Sequence, residues 1–464
     1  MAQSARFAWW LLIMLFGGFI LYNNLTFLTL FTRQRDTSLN EEDIRYELDF
    51  QLRYALFFAG SPMLHQGWKP AAEGVIQSIQ RELYGTEAEW EARLYVALLE
   101  QLTETGDPRQ TLKSLPDAPA LQLDPHERRW YTALWQTALL DPLSIEQVER
   151  LHTALAPSVS PLAMRLAESL MWQRAGDTRR AQQRLQTLGR ESRLRLSVLG
   201  LAVCCGLLWA LTGVGLLIWY RVQSFPLAER PLPDHSPFAL DPMLWAPVLF
   251  LLVLLGGAAF VASIPSSREM STLEPAFLVV YLTAALVPLF FLLEWSRESN
   301  HPSGVLRFRG RFGQQLGAAL MGFGIYLPLM LLSLLLTLWL MPALPREQTN
   351  PIAERLLSEM NAWELFWTIA LSVLFAPVVE EILFRGVLFQ VLWQRTGRVW
   401  LSAFVSGFLF GVIHPQFLGG ILSVTLLGVI LAMVYAHTRS LLPCMLIHAL
   451  NNGMAMLFFW VFAG

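Results

Sequence analysis

The stretch Val378–Leu388, which reads VVEEILFRGVL, decides how the rest of the chain is interpreted. It places two adjacent carboxylates and one arginine inside sequence that is otherwise apolar on both sides. A charge at bilayer depth is costly, so such a set is by default a functional-site hypothesis. On a helix, Glu381 and Arg385 stand four apart on one face, in the order that favours an ion pair. Glu380 points about 100° away, so one carboxylate can be held by Arg385 while the other handles protons.

The composition indicates a polytopic membrane protein with a polar part. Of the 464 residues, 54% are hydrophobic and 15% are charged, whereas a soluble domain carries about 25% charged residues. The formal net charge of −2 gives no bulk attraction to nucleic acid, so we expect no nucleic-acid partner. Neither a disulfide framework nor a cysteine-based metal motif is present, because the three cysteines all lie in apolar runs: Cys204, Cys205 and Cys444.

Apolar runs predict an all-α, polytopic helical protein with about nine membrane spans. The first run, Phe7–Phe31, predicts a retained N-terminal anchor over residues 1–33. A cleaved signal peptide is the alternative, but the run exceeds a signal core of about 7–15 residues. We expect residues 196–345 to hold transmembrane helices and residues 346–464 to hold the four spans that make the site. The eight runs after the polar region are Leu196–Tyr220, Leu244–Ile264, Ala276–Leu293, Leu316–Met341, Trp363–Trp393, Val399–Ile413, Phe417–Tyr435 and Leu441–Phe462.

Residues 34–195 are charged, show helical periodicity and contain no run long enough to span a membrane. Helix–turn boundaries recur near Asp107, Asp141 and Asp177, at a spacing close to 34 residues. That period favours an inserted soluble helical domain of TPR-like repeats, and an irregular helical bundle is the alternative. No cluster of catalytic type lies here, so we expect the region to bind a protein partner or to pack on the membrane part.

The arginines predict membrane orientation ambiguously. The arginine-rich end of the 34–195 region and the arginine-rich loop 296–315 are separated by three spans, so they lie on opposite sides. The positive-inside rule cannot satisfy both. Because short loops count more than the edges of large domains, we place 296–315 in the cytosol and 34–195 on the extracytoplasmic side of a bacterial plasma (inner) membrane.

Three more polar positions interrupt the apolar C-terminal third. His414 ends an apolar run just before a proline, and His448 and Asn452 lie four apart, on one face of a helix. Their donors can therefore converge on one point, as an oxyanion site requires. Each has a structural alternative: His414 can cap a helix, His448 can be a satisfied core histidine, and Asn452 can join helices by a hydrogen bond. The Glu381–Arg385 pair can also be purely structural.

Together the three motifs resemble those of the CPBP family of intramembrane proteases, which includes type II CAAX prenyl endopeptidases and the bacteriocin-processing or immunity (ABI) proteins. The motifs are Glu380-Glu381-x-x-x-Arg385, Phe410-x-x-x-His414 and His448-x-x-x-Asn452, within about Trp363–Phe462. The 34–195 region lies outside the resemblance.

The resemblance implies an intramembrane endopeptidase of glutamic type, described in older accounts as a metalloprotease. Glu380 matches the carboxylate that activates water, with His414 holding the same water. His448 and Asn452 match the oxyanion-stabilising pair, and Arg385 orients Glu381. The substrate would be a membrane-associated protein or peptide in the lipid bilayer.

A divalent metal such as zinc is the alternative to a metal-free site, because carboxylates and histidines are ordinary zinc ligands. Glu380, His414 and His448 would hold it. We favour no metal and no cofactor, because asparagine is a poor zinc ligand and the chain has no His-Glu-x-x-His motif.

Two rival functions remain. A non-catalytic membrane adaptor or immunity-type protein would recruit a partner through residues 34–195, and the polar cluster would only hold helices together. A transporter would use Glu380 and the histidines as a proton relay, but the inverted repeats common in transporters are not visible in the sequence.

Overall fold

The computed structural model describes residues 6–16, 41–58, 68–121, 123–222, 241–262, 270–298, 308, 310–340, 362–414 and 418–462. Within these ranges the regular structure is helical and contains no strand, which confirms the predicted all-α class. The main helices are α1 (Arg6–Phe16), α2 (Glu41–Phe58), α3 (Trp68–Leu83), α4 (Glu89–Thr103), α5 (Pro108–Lys113), α6 (Pro125–Leu140), α7 (Ile145–Leu155), α8 (Pro161–Arg174), α9 (Thr178–Val222), α10 (Trp245–Ala262), α11 (Met270–Glu298), α12 (Phe312–Leu340), α13 (362–396), α14 (Val399–Val412), α15 (Leu418–Thr438) and α16 (Leu441–Phe462).

Nine helices of the described ranges coincide with the nine predicted spans, which supports a multi-pass membrane protein. Five of them are long and apolar enough to cross a membrane, and four are shorter apolar helices. The remainder of the predicted first span, beyond residue 16, lies outside the described residues, as do the predicted boundaries at 33 and 345. The five are Thr178–Gly215, Phe312–Ser333, Leu365–Thr396, Ile421–Thr438 and Leu441–Phe458, and the four are Arg6–Phe16, Asp241–Gly257, Val279–Trp295 and Val399–Val412.

The described helices form two compact units. The helical unit contains α2 to α8, residues 178–204 of α9 and residues 457–462 of α16. The membrane unit contains α1, residues 205–222 of α9, α10 to α15 and residues 441–456 of α16. The domain boundaries proposed from the sequence, and the TPR-like repeat, stay predictions.

The helical unit begins its helices where the sequence supplies capping side chains. Asp107 accepts hydrogen bonds from the backbone N–H groups of Arg109 and Gln110, at the start of α5. Asp124 and Ser144 each take part in a capping box, at the starts of α6 and α7. Such caps satisfy the N–H groups that a helix start leaves without partners. The starts of α5 and α7 therefore lie at or near the turns that recur in the sequence, around Asp107 and Asp141.

A polar group is buried inside the helical unit. The carboxylate of Asp49 on α2 accepts hydrogen bonds from the Tyr95 hydroxyl at 2.8 Å and the Ser160 hydroxyl at 2.5 Å. Burial raises the pKa of Asp49, and it lowers the pKa of the nearby Arg53 to about 10. These contacts join α2, α4 and the start of α8.

The membrane unit brings α14 and α15 together at a pair of glycines. A Cβ on Gly428 would lie 2.6 Å from the Cα of Gly407, so neither position has room for a side chain. Small residues let membrane helices approach closely. This contact sets the backbone of α15 beside the segment that carries the predicted site.

Candidate active site

The helix α13 changes its winding on both sides of the two glutamates. Its α-helical pieces are separated by π-helical stretches at Ala370–Phe375 and Ile382–Phe389, and Glu380 and Glu381 end the short α-helical piece between them. Pro377 has no N–H, and in a regular α-helix its ring would clash with the carbonyl four residues earlier, which belongs to Val373 in the first π-helical stretch. A proline one turn before the carboxylates therefore accounts for the wider winding there. Such π segments are frequent at functional sites.

Glu381 contacts two side chains that lie far apart in sequence, Arg385 and His448. Its Oε1 accepts a hydrogen bond from Arg385 Nη1 at 2.7 Å and lies 2.9 Å from Nδ1 of His448. The side chains of Glu381 and Arg385 are fully buried, and that of His448 is 2% exposed. Arg385 also donates from Nη2 to the carbonyl of Gly428, at 3.2 Å. The sequence spacing predicted the Glu381–Arg385 pair, but it did not predict that Glu381 also holds His448.

Glu380 is turned away from this pair and faces the two imidazoles. Its Oε2 lies 3.6 Å from Nε2 of His414 and 3.8 Å from Nε2 of His448. Both distances exceed a direct hydrogen bond, and this buried oxygen accepts no hydrogen bond from the residues that the structure describes. A gap of this size between polar atoms is one that a water molecule can bridge.

The hydrogen bonds at the other ring nitrogens assign the tautomers. Nδ1 of His414 is 2.7 Å from the carbonyl oxygen of Phe410, which can only accept, so Nδ1 carries the proton. Nδ1 of His448 faces the Glu381 carboxylate in the same way. When an imidazole is neutral, the lone pair of its Nε2 therefore faces Glu380, and when it is protonated, Nε2 donates towards Glu380. With both imidazoles neutral, three acceptors face one another and require a shared proton or a donor between them.

Phe410 forms the packing centre of the cluster. Its ring centroid is 4.6 Å from that of His414 and 5.4 Å from that of His448. On the same ring, the guanidinium carbon of Arg385 lies 4.4 Å from the centroid. The sequence marked Phe410 only as the first residue of a motif. Its role as a common platform depends on tertiary packing and could not be read from spacing.

Asn452 is on the same helix as His448, but the structure gives its amide another partner. Its Nδ2 donates to the carbonyl of Ser372, at 2.8 Å, inside the first π-helical stretch of α13. The structure thus brings together five of the six predicted site residues through direct contacts or close approach. Asn452 stands one helical turn beyond His448, and its amide is held against the wall of the site.

Three side chains of the cluster are of types that bind metal ions. Glu380, His414 and His448 supply ligands of the kind that zinc prefers. Among the described residues, however, no group of three His, Cys, Asp or Glu side chains is arranged to hold a metal ion. A dication would also lie near the buried guanidinium of Arg385, which contacts the same phenyl ring. A site without a metal stays a prediction.

The membrane unit thus holds two glutamates, two histidines and one arginine in one cluster, in which only His414 is partly exposed. Residues 362–454 match the family model described as type II CAAX prenyl endopeptidase Rce1-like. This match confirms the resemblance predicted from the three motifs, and the matched segment contains all six predicted site residues. At family level, this segment is similar to CAAX-type intramembrane proteases.

Two curated proteins are also similar to the chain. The "Putative membrane peptidase YdiL" of Bacillus subtilis (strain 168) is 30% identical over 84 residues, which cover 18% of this chain and 34% of that protein. The "Uncharacterized 24.3 kDa protein" of Escherichia coli is 29% identical over 119 residues, which cover 25% of this chain and 54% of that protein. The chain thus spans about a third of the first relative and about half of the second. No solved structure matches the chain significantly.

Proposed function

We propose that this protein is an intramembrane endopeptidase that hydrolyses a peptide bond of a membrane-associated protein or peptide. The observation that carries the proposal is the approach of Glu380 Oε2 to the Nε2 atoms of His414 and His448, at 3.6 and 3.8 Å. The similarity of residues 362–454 to a protease family supports it.

In the first step, Glu380 acts as the general base. A water between Glu380 and His414 donates one hydrogen to the carboxylate and one to the Nε2 lone pair. As the water oxygen attacks the carbonyl carbon of the substrate, its proton passes to Glu380. A positioned base of this kind contributes roughly 10²–10⁴-fold to a rate.

The attack turns the carbonyl oxygen into an oxyanion, which needs N–H donors. The Nδ2 of Asn452 carries two hydrogens and donates one of them to the Ser372 carbonyl, so the second can be donated to the oxyanion. His448 can donate from Nε2 only as an imidazolium, because its Nδ1 proton is held by Glu381. The buried carboxylate of Glu381 stabilises that positive charge.

When the intermediate collapses, the bond between carbonyl carbon and amide nitrogen breaks. The proton taken by Glu380 passes to the leaving nitrogen, directly or through Nε2 of His414. The products are one new carboxyl terminus and one new amino terminus, and no cofactor takes part. We place the protein in the plasma (inner) membrane of a bacterium, with residues 34–195 on the extracytoplasmic side.

New amino termini provide the test of this proposal. Cells that lack the chromosomal copy would carry either the wild-type chain or Glu380→Gln, which keeps the side-chain shape and removes the base. Proteomics of protein N-termini in the membrane fraction should find termini that the wild type makes and that Glu380→Gln does not. Glu146→Gln is the matched control, because that side chain is 84% exposed on α7. Equal sets of termini from wild type and Glu380→Gln would remove the proposed base.

One observation favours a second function, in which the helical unit recruits a partner. Residues 161–195 contain eight arginines against three acidic residues, in a chain whose net charge is −2. Arg165, Arg180 and Arg184 line a groove of about 490 Å³ together with Trp172. The guanidinium carbon of Arg180 lies 4.7 Å from the centre of a Trp172 ring. Arg165, Arg180 and Arg184 each pair with an acidic side chain, at Glu191, Asp177 and Glu168 respectively. An acidic protein segment would bind by competing for the same guanidinium groups.

Binding of a fluorescein-labelled octaglutamate peptide to the full chain in detergent micelles would test this groove by fluorescence anisotropy. Arg180→Glu combined with Arg184→Glu should abolish binding, whereas Arg150→Glu, at a side chain 82% exposed on α7, should not. Equal binding by both variants, or no binding to the wild type, would exclude the groove.

A further inference from the structure

A line of hydrogen bonds runs from α12 through the end of the site. The Tyr326 hydroxyl donates to Oδ1 of Asn451 at 3.1 Å, and Nδ2 of Asn451 donates to Oδ1 of Asn452 at 3.2 Å. The Nδ2 of Asn452 then donates to the Ser372 carbonyl at 2.8 Å. Tyr326 is only 2% exposed, so its hydroxyl does not exchange this contact for bulk solvent.

This line fixes which way both amides point. An asparagine amide has one accepting and one donating end, and a flip exchanges them. If Asn452 flipped, two oxygens would meet at Ser372, and Asn451 would lose its acceptor. If Asn451 flipped, its donor end would face the tyrosine hydroxyl and its oxygen would face the oxygen of Asn452. The observed direction keeps the two hydrogens of Asn452 Nδ2 on the side of Ser372.

We infer that Tyr326 and Asn451 are positioning residues that hold the Asn452 amide in the orientation needed to stabilise the oxyanion. This inference rests on the proposed peptidase function and names two residues outside its motifs. The Asn452 oxygen accepts a hydrogen bond, which polarises the amide and makes its N–H groups better donors. Tyr326 lies outside residues 362–454, so the helices before that segment contribute to the site.

Tyr326→Phe is the sharpest variant, because it removes only the hydroxyl that starts the line. The probe is a synthetic peptide that spans a terminus lost in Glu380→Gln, given to the purified full chain in detergent micelles. The kcat should fall roughly two- to tenfold, as expected for the loss of one neutral hydrogen bond, with KM unchanged. In an Asn452→Ala background, Tyr326→Phe should cause no further loss.

Ser333→Ala is the matched control on α12. Its hydroxyl is also buried and bonds to Ser423 at 2.6 Å, away from the line. It should leave kcat unchanged. A wild-type kcat in Tyr326→Phe, or an equal loss in the Asn452→Ala background, would overturn the inference.

The failure of the proposed function can be told apart from the failure of this inference. If the wild type cleaves no peptide, the peptidase proposal fails, and if Glu380→Gln and Asn452→Ala both cleave like the wild type, the proposed base and oxyanion donor fail. Thermal unfolding of four proteins (wild type, Tyr326→Phe, Asn452→Ala and the double variant) then tests, without any cleavage assay, whether Tyr326 and Asn452 are coupled. Non-additive shifts of the melting temperature would show that the two residues are coupled, and additive shifts would refute the coupling.

Discussion

The buried pair of Glu381 and Arg385 gives a prediction whose size follows from the structure. The two charges lie 2.7 Å apart, with both side chains fully buried. At an effective dielectric constant near 20, their attraction is about 6 kcal/mol, which offsets the cost of taking both from water. Removing one partner leaves a buried charge, and such changes cost about 3–5 kcal/mol. We expect this loss from Glu381→Leu and from Arg385→Met, each made alone.

The double variant should behave differently, because it leaves no charge without a partner. Replacing a whole buried ion pair with apolar residues is often close to neutral. We therefore expect the double variant to be more stable than either single variant, instead of losing the additive sum of about 6–10 kcal/mol. It should still be inactive, because His448 loses the carboxylate that holds its Nδ1.

Unfolding of the purified protein in detergent micelles, titrated with a denaturing detergent, measures these free energies. Glu146 and Arg150 are the matched control, since they have the same spacing and order but lie 3.9 Å apart with side chains 84% and 82% exposed. Arg150→Met should change stability little, because exposed pairs contribute about 0–1 kcal/mol. Additive losses in the double variant, or single losses below about 1 kcal/mol, would refute the reasoning about the buried pair.

Three further predictions concern stability, pH and metal. Because burial raises the pKa of Asp49, its stabilising effect is present below the unfolded pKa and is lost as pH rises through the folded pKa. Asp49→Asn should therefore gain melting temperature over the wild type as pH rises from 4 to about 7, and a constant difference would contradict this. Gly428→Ala should destabilise the protein by about 1–3 kcal/mol, because the added methyl group overpacks against Gly407. Unfolding in detergent measures this loss, and Gly200→Ala is the control, because a Cβ at Gly200 meets nothing within 4 Å. Cleavage of the synthetic peptide should continue in a zinc chelator; inhibition that added zinc reverses would show a metal enzyme.

The sequence predicted the fold class and the membrane helices well, because both depend on the length and polarity of local runs. The Glu381–Arg385 pair could also be predicted from the sequence, since a spacing of four on a helix puts two side chains on one face. The same rule placed His448 and Asn452 on one face, but it could not give their partners.

The features that the sequence did not predict are tertiary contacts. The bond from His448 to Glu381 joins residues 67 positions apart, and the bond from Tyr326 to Asn451 joins residues 125 apart. The packing of Phe410 against both imidazoles likewise depends on how α14 lies against α13 and α16. The π-helical stretches of α13 had only the nearby Pro377 as a signal, and a proline predicts an irregularity without giving its kind.

The proposed chemistry requires the Glu380 carboxylate to meet two imidazoles inside the membrane part of the protein. Cryo-electron microscopy of the full chain in lipid nanodiscs measures this directly. We expect a carboxylate oxygen of Glu380 within about 4 Å of Nε2 of both His414 and His448, close enough for one water to bridge them. A Glu380 side chain turned towards the acyl chains, with the two imidazoles apart from it, would refute the proposed site.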